Sequence, residues 1–467
     1  MTRLTAAQEP CKRNSYRRYL GSTPAFLAVS DLGWEACEKQ DAQAAACLYA
    51  LFPVLLAFVC HTLKAAAAEG KERLYFMARD AYPLYRMAQR LGSGKELTTD
   101  CRYLHCSRYA WRLPEYHLIG AHSLERICRG GLEVSFSHMM RRAGLSGEEG
   151  RRIAALAGVK EGYDTPLSWK RIHELRAPLA QCRPFLDLME RRSRESYADT
   201  LAWMRREGLF DPVSYALVDS GWIGTMQESL QNLLAGAGDH RRVEGYYFGL
   251  YDLPEGAQEK EYHGYYFQPK GKIGRKAHFS NCLFEALCIA PHGMTVGYRQ
   301  GEPVLGDIVR ENEERAAAQL GLLEVYLKAL EKADTDALLE EAERLAAQKL
   351  LSSLMSRPSA EEAACFGGLL FSDDVTEDGL QPLAARLNTR QLFLHHMLPR
   401  TAVQLGLIRS GWKDSGWVEG SIRLYGGRLA AWHRRSALLY KYGIYIRSDY
   451  RYRAKERKLA CRKKGKN

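Results

Sequence analysis

Short apolar runs recur along the chain, each stopping at a charged or glycine-rich segment and followed by an amphipathic stretch. Residues 213–218 (VSYALV) have the pattern of a buried strand. The run stops at Asp219, and Ser220, Gly221, Trp222, Ile223 and Gly224 follow. Thr225-x-x-Glu228 then opens a stretch with Met226, Leu230, Leu233 and Leu234 near one face, which predicts a helix begun by a capping box. Residues 73–77 (RLYFM) read as another strand, leading through Ala78-Arg79-Asp80 into a helical run, YPLYRMAQRL. A third such unit is 102–108 (RYLHCSR), followed by Tyr109, Trp111 and Arg112. Two tyrosine-rich strands, 243–251 and 262–268, flank a Pro/Gly/Glu turn region and predict a hairpin. Residues 279–298 predict a short helix carrying Glu285, a Pro-His-Gly turn at His292, and a strand.

The remaining segments have helical spacing. Residues 131–210, rich in Arg and Glu, read as an inserted helical subdomain, and 306–420 as a helical C-terminal domain. The chain therefore divides into an extension (1–40), a first part of the core (41–130), the insertion, a second part of the core with the ligand loop (211–305), the helical domain, and a tail (421–467). The fold class is α/β, with parallel strands whose carboxyl ends carry the loops of interest. Residues 42–63 contain no Asp, Glu, Lys or Arg and are long enough to span a bilayer. Pro53, the many alanines and the strand that follows favour a buried core helix kinked at the proline.

Composition narrows the class. With 467 residues, 46% hydrophobic and 26% charged, the chain builds a large core and is not disordered. Its twelve cysteines form no CxxC pair and no zinc-ligand spacing, which suits reduced thiols in a cytosolic protein. Residues 1–20 have no apolar signal core, so export is not expected. The net charge of +12 belongs to the tail, where fifteen lysines and arginines face only Asp449 and Glu456. Basic residues interleaved with Trp412, Trp417 and Trp432 suit a solvated helix with snorkelling side chains or an anionic membrane face. Nucleic acid is the poorest match.

Candidate chemistry gathers at the strand ends. Strand, acid, glycines and helix start together form a device that binds phosphate or sugar, because glycines let backbone N–H groups approach an anion and the helix adds its positive end. The same pattern serves an ordinary strand–turn–helix junction. Glu285 lies on an apolar face, where an unpaired carboxylate is costly, so it requires a partner: a ligand or a buried arginine.

Four stretches together resemble a known family: LYFMARDAYPLY (74–85), CRYLHCSRYAWR (101–112), LVDSGWIGTMQ (217–227) and FEALCIAPHGMTVGY (284–298). In the same order they are similar to the glycan phosphoribosyltransferase module of bacterial two-domain ribofuranosyltransferases, found in surface-polysaccharide gene clusters. The resemblance covers roughly residues 40–430 and is most specific in DSGWIGTMQ. It implies a parallel core of phosphoribosyltransferase-like or Rossmann-like type. It also implies transfer of ribose 5-phosphate from phosphoribosyl pyrophosphate to a glycan acceptor, lipid-linked and at the inner face of the cytoplasmic membrane. This chain departs from the family in two ways. It has Ala78-Arg79-Asp80-Ala81 where the family has Ser-Arg-Asp-Gly, and it has no haloacid-dehalogenase-type phosphatase domain, so a separate phosphatase would act next.

Under that resemblance Asp80 and Asp219 are the catalytic residues and the ligands of a Mg²⁺ ion. Arg79 and Arg108 take the pyrophosphate, since the arginine fork matches phosphate oxygens. Ser220, Gly221, Gly224 and Thr225 take the 5-phosphate, with Ser107, Trp222, Gln227, Glu285 and His292 around the ligand. Each has a plainer role open to it: a cap for Asp219, an ion pair for Arg79 with Asp80, core packing for Trp222, solvent for Gln227 and His292. Two other functions compete. One is a phosphohydrolase of haloacid-dehalogenase type with Asp219 or Asp80 as nucleophile, although the second acid of its Asp-x-Asp is missing. The other is a non-catalytic component of a polysaccharide assembly complex that binds a sugar phosphate.

Overall fold

The computed structural model describes residues 12–92, 99–130, 134–372, 376, 380–404, 407–408 and 414–464. Five strands, β1 (Arg73–Met77), β2 (Asp100–Leu104), β3 (Tyr215–Trp222), β4 (Glu244–Leu250) and β5 (Tyr262–Phe267), form one sheet in the order β2-β1-β3-β4-β5. Every neighbouring pair is parallel. Every residue of β1 is buried, as expected of a strand covered on both faces. Alternate side chains divide between two cores: Leu74, Phe76, Ala216 and Val218 enter one, and Tyr75, Met77 and Leu217 the other.

The first core is built on α1 (Ala42–Ala68), whose most apolar window is 94% buried. The helix is long and apolar enough to cross a membrane, but here it is surrounded by protein. Pro53 offers no N–H and crowds the carbonyl four residues back. The turn before it widens accordingly: Cys47–Leu51 is π-helical, and the Phe52 N–H reaches the Cys47 carbonyl. α2 (Tyr82–Gly92) packs beside α1. The second core is covered by α3 (Arg108–Ile119), α4 (Arg183–Arg206) and α5 (Thr225–Gly236). The insertion between β2 and β3 is helical and has its own core, including Phe136, Met139, Met140, Phe185 and Met189.

Further along, α6 (Asn281–Leu287) carries Glu285, and β6 (Thr295–Arg299) pairs with β7 (Glu302–Leu305) as a separate antiparallel hairpin. α7 (Glu313–Leu330) opens a helical C-terminal part that ends in α8 (Ala430–Lys464). The chain thus has an α/β fold with a parallel core and a helical C-terminal part. The ten cysteines whose side chains are described are all free thiols.

Several expectations need correction. β4 and β5 are parallel and do not form a hairpin. Residues 251–261 between them run back along the sheet, which a parallel pair requires and a tight turn cannot do. The segment read as an N-terminal extension is part of the main core, to which it contributes Tyr16, Leu20, Phe26 and Val29, all fully buried. Its residues 1–11 lie outside the described residues. The basic tail is docked on the body: the Asp449 carboxylate accepts the Gly271 N–H at 2.7 Å, and Tyr445 stacks on Tyr251. Trp417 is buried and donates to the Met355 carbonyl at 2.7 Å, Trp432 is half exposed, and Trp412 lies outside the described residues.

Candidate functional site

The strand order sets the position of the site. From β1 the chain moves to one side to form β2, then returns past β1 to form β3. Loops leaving β1 and β3 therefore part in opposite directions and leave a crevice beyond their carboxyl ends. A cavity of about 320 Å³ lies there. Asp80 enters it from the end of β1, Asp219 from β3, Ser107 and Arg108 from the start of α3, and Glu285 from α6. Arg79, Ser220, Gly221, Trp222, Gly224, Thr225 and His292 also line it. Gln227 alone among the residues singled out from the sequence does not. It is fully buried, its amide donates to the Val243 and Glu261 carbonyls, and its carbonyl accepts the Tyr247 hydroxyl.

The central stretch differs from its expected form. β3 does not stop at Asp219; it continues to Trp222, with Asp219 opposite Tyr247 and Gly221 opposite Gly249. Gly221 is there because of that pairing. Its φ is +106°, and a Cβ would meet the Gly249 carbonyl oxygen at 2.5 Å. No capping box forms: the N-cap of α5 is Gly224, in the left-handed region, and no side chain caps the helix. The Thr225 hydroxyl instead accepts a hydrogen bond from Arg112 at 3.1 Å, and Glu228 pairs with Arg126.

Three carboxylates share the cavity. Asp80 accepts the Ser220 hydroxyl at 2.7 Å. Glu285 accepts the Trp222 indole N–H, which supplies the partner its apolar setting requires. Trp222 itself packs among Phe267, Phe279 and Phe284. Asp219 and Glu285 keep some open surface only because they face the cavity; protein surrounds them otherwise. Burial, and then the charge of Asp80, push the Asp219 carboxyl up to about 7, against hydrogen bonds from the Ser220 and Gly221 N–H groups. The same two causes raise Glu285 well above the usual carboxylate range.

Arginines line the same cavity. Arg108 and Arg112 lie one turn apart on α3, and Arg79, Arg129 and Arg315 also reach the cavity. Arg112 is 4% exposed. Burial, then the charges of Arg108 and Arg126, bring its guanidinium down to about 9. Its Nε has no hydrogen-bond partner among the described residues. Arg112, Arg129 and Arg315 were not among the residues singled out from the sequence. The i, i+4 spacing of Arg108 and Arg112 on a predicted helix signals the first of them; no sequence signal marks the other two.

Two of the expected ligand residues, both at the cavity, also make structural hydrogen bonds. The Ser107 hydroxyl caps α3 by accepting the Ala110 N–H at 2.9 Å, and it donates to the Thr295 carbonyl at 2.6 Å. That second bond, with Trp111 Nε1 to the Tyr298 hydroxyl at 2.9 Å, ties β6 to α3. His292 is half-buried rather than exposed. Its Nδ1 lies 2.8 Å from the Gly293 carbonyl, which can only accept, so Nδ1 carries the proton and Nε2 accepts from the Tyr103 hydroxyl. Burial lowers the pKa of His292, and of His105 beside it to about 4, so both rings are neutral at pH 7.

Asp80 and Asp219 present hard oxygen donors whose mutual repulsion a divalent cation would relieve, so they fit a Mg²⁺ ion that takes its other ligands from a substrate. The tightest three-residue group of ligand atoms among the described residues lies elsewhere: Glu69, Glu244 and His263, within 4.8 Å of one another, at the opposite end of the sheet. No family model matches the chain, and no curated protein is significantly similar to it.

Proposed function

We propose that the protein is a glycosyltransferase of phosphoribosyltransferase type, which moves ribose 5-phosphate from phosphoribosyl pyrophosphate to the hydroxyl of a glycan in surface-polysaccharide synthesis. The observation that carries this reading is one cavity at the β1/β3 switch point lined by both carboxylates and arginines. A polyanionic sugar phosphate needs both: cations for its phosphates, and oxygens for its ribose hydroxyls and its metal ion.

In the reaction the bond from C1 to the pyrophosphate oxygen breaks, and pyrophosphate leaves with the electron pair. The acceptor oxygen bonds to C1 and loses its proton to a carboxylate. Glu285, made unusually basic by its surroundings, is suited to take that proton. Arg79 and Arg108 hold the leaving group and offset its growing charge. Asp80 and Asp219 would hold Mg²⁺, which would supply positive charge to offset that of the pyrophosphate. The acceptor in this proposal is lipid-linked, the protein works at the cytoplasmic face of the membrane with its basic helix α8 as the peripheral contact, and a separate phosphatase removes the 5-phosphate. The phosphohydrolase reading draws less support, because Gly221 and Tyr82 stand where a second acid would follow Asp219 and Asp80.

The test is calorimetric titration with phosphoribosyl pyrophosphate, with and without Mg²⁺, beside Asp219→Ala. The expected result is saturable binding by the wild type that the variant loses. Well-folded wild-type protein that binds in neither condition overturns the proposal.

A further inference from the structure

A buried guanidinium normally has an acid beside it, because removing a charge from water is costly unless an opposite charge replaces the solvent. Arg126, close to the site, follows the rule: it pairs with Glu115 and Glu228. Arg112 does not. It is the more deeply buried of the two, and among the described residues its hydrogen-bond acceptor is the neutral Thr225 hydroxyl. The charges that act on it most strongly are those of Arg108 and Arg126, of its own sign, and Glu115, within reach of its charge, is already paired with Arg126. The first turn of α5 meets it there, with Thr225 and Met226 at the cavity and only Gly224 at the cap, so no side chain accepts the free N–H groups of that turn.

We propose that Arg112, with the amino end of α5, forms a subsite for the phosphate group of a phosphate monoester. A buried guanidinium and the positive end of a helix match a group of charge about −2 better than a single carboxylate. The arginine fork gives this group two parallel donors, which a lysine does not. For the rest of the ligand the assignment rests on the transferase reading. It gives the 5-phosphate of the ribose to α5 and Arg112, and leaves the pyrophosphate to Arg79 and Arg108. Arg112 then sets specificity: it admits ribose 5-phosphate and its derivatives and rejects ribose.

The test is calorimetric titration of the whole chain with ribose 5-phosphate, ribose, inorganic phosphate and phosphoribosyl pyrophosphate. The wild type is expected to bind ribose 5-phosphate and inorganic phosphate but not ribose. Arg112→Gln, folded by circular dichroism, is expected to lose at least tenfold in affinity for ribose 5-phosphate. Should that variant not fold, Arg112→Lys, which keeps the charge but not the fork, serves instead and is expected to lose severalfold. Failure of the wild type to bind either phosphate overturns the subsite. So does undiminished affinity in a folded variant, and if phosphoribosyl pyrophosphate still binds the transferase reading survives. Arg112-dependent binding of ribose 5-phosphate without any binding of phosphoribosyl pyrophosphate supports the subsite and removes the transferase reading.

Discussion

The two ends of the same parallel sheet treat charge in opposite ways, and two arginines show it. Arg73 begins β1, is 8% exposed, and donates to Asp100 and Asp211 at 2.8 Å each, as well as to the Gly208 carbonyl. Arg112, at the other end and buried more deeply, has a hydroxyl and, among the described residues, no ion pair. The carboxylates follow the same division. At the amino ends of the strands, Glu244 is held by Lys71 at 2.6 Å and by His263, and Glu69 by the Tyr246 hydroxyl. The group of possible metal ligands there already has a cation in the Lys71 ammonium. At the carboxyl ends Asp219 and Asp80 repel one another. Two carboxylates held close together destabilise a fold, so the contrast separates an end whose charges hold the sheet together from an end whose charges oppose one another.

Three measurements sharpen or break that contrast. The largest effect is expected from Asp219. Its carboxyl titrates near 7 in the folded protein and near 4 when unfolded, so between those values the folded state holds a proton that the unfolded chain has released. Stability therefore falls as the pH rises from about 4 to about 7, by on the order of 4 kcal/mol, and levels off above that. Urea unfolding across this window is expected to show a shallower slope in Asp219→Asn; equal slopes would mean that the cavity end is no more strained than the other. Next comes Arg73→Met, expected to cost about 3 kcal/mol in the same assay, since Asp100 and Asp211 lose their shared partner. A loss below about 0.5 kcal/mol would remove the structural half of the comparison. The smallest effect has the opposite sign: Arg112→Met is expected to stabilise the ligand-free protein by about 1 kcal/mol, because it replaces a buried charge that has no ion pair among the described residues with an apolar side chain. Destabilisation similar to that of Arg73→Met would show that the two arginines do the same job.

What the sequence revealed follows from the range of each interaction. β1 was legible to the residue, because after Arg73 the run LYFM is apolar and a strand buried on both faces has that pattern. The helical insertion and α6 were legible for similar local reasons. The direction of β5 relative to β4 was not: a strand's sequence records which faces are covered, not which way its neighbour runs. The roles of Gly221 and Thr225 depend on partners far along the chain, Gly249 and Arg112, and local spacing suggested anion approach and a capping box instead. Grouping of the strand-end residues around one cavity followed from the α/β pattern alone. Arg315 arrives from a helix whose sequence is that of any solvated helix with an apolar side, so its place at the cavity depends on tertiary packing.

The central pairing of the sheet also bears on how the protein folds. Arg73 lies opposite Tyr215, so β1 and β3 come together across more than a hundred residues of intervening chain, most of it the helical insertion. Contacts so distant in sequence close slowly, whereas the helices between them form from neighbours. Asp80 leaves one of these strands and Asp219 sits on the other, so neither half of the cavity exists before that closure. The insertion can reach its native state while the site is still absent, and a chain halted at that stage would be largely helical, partly compact and without ligand affinity.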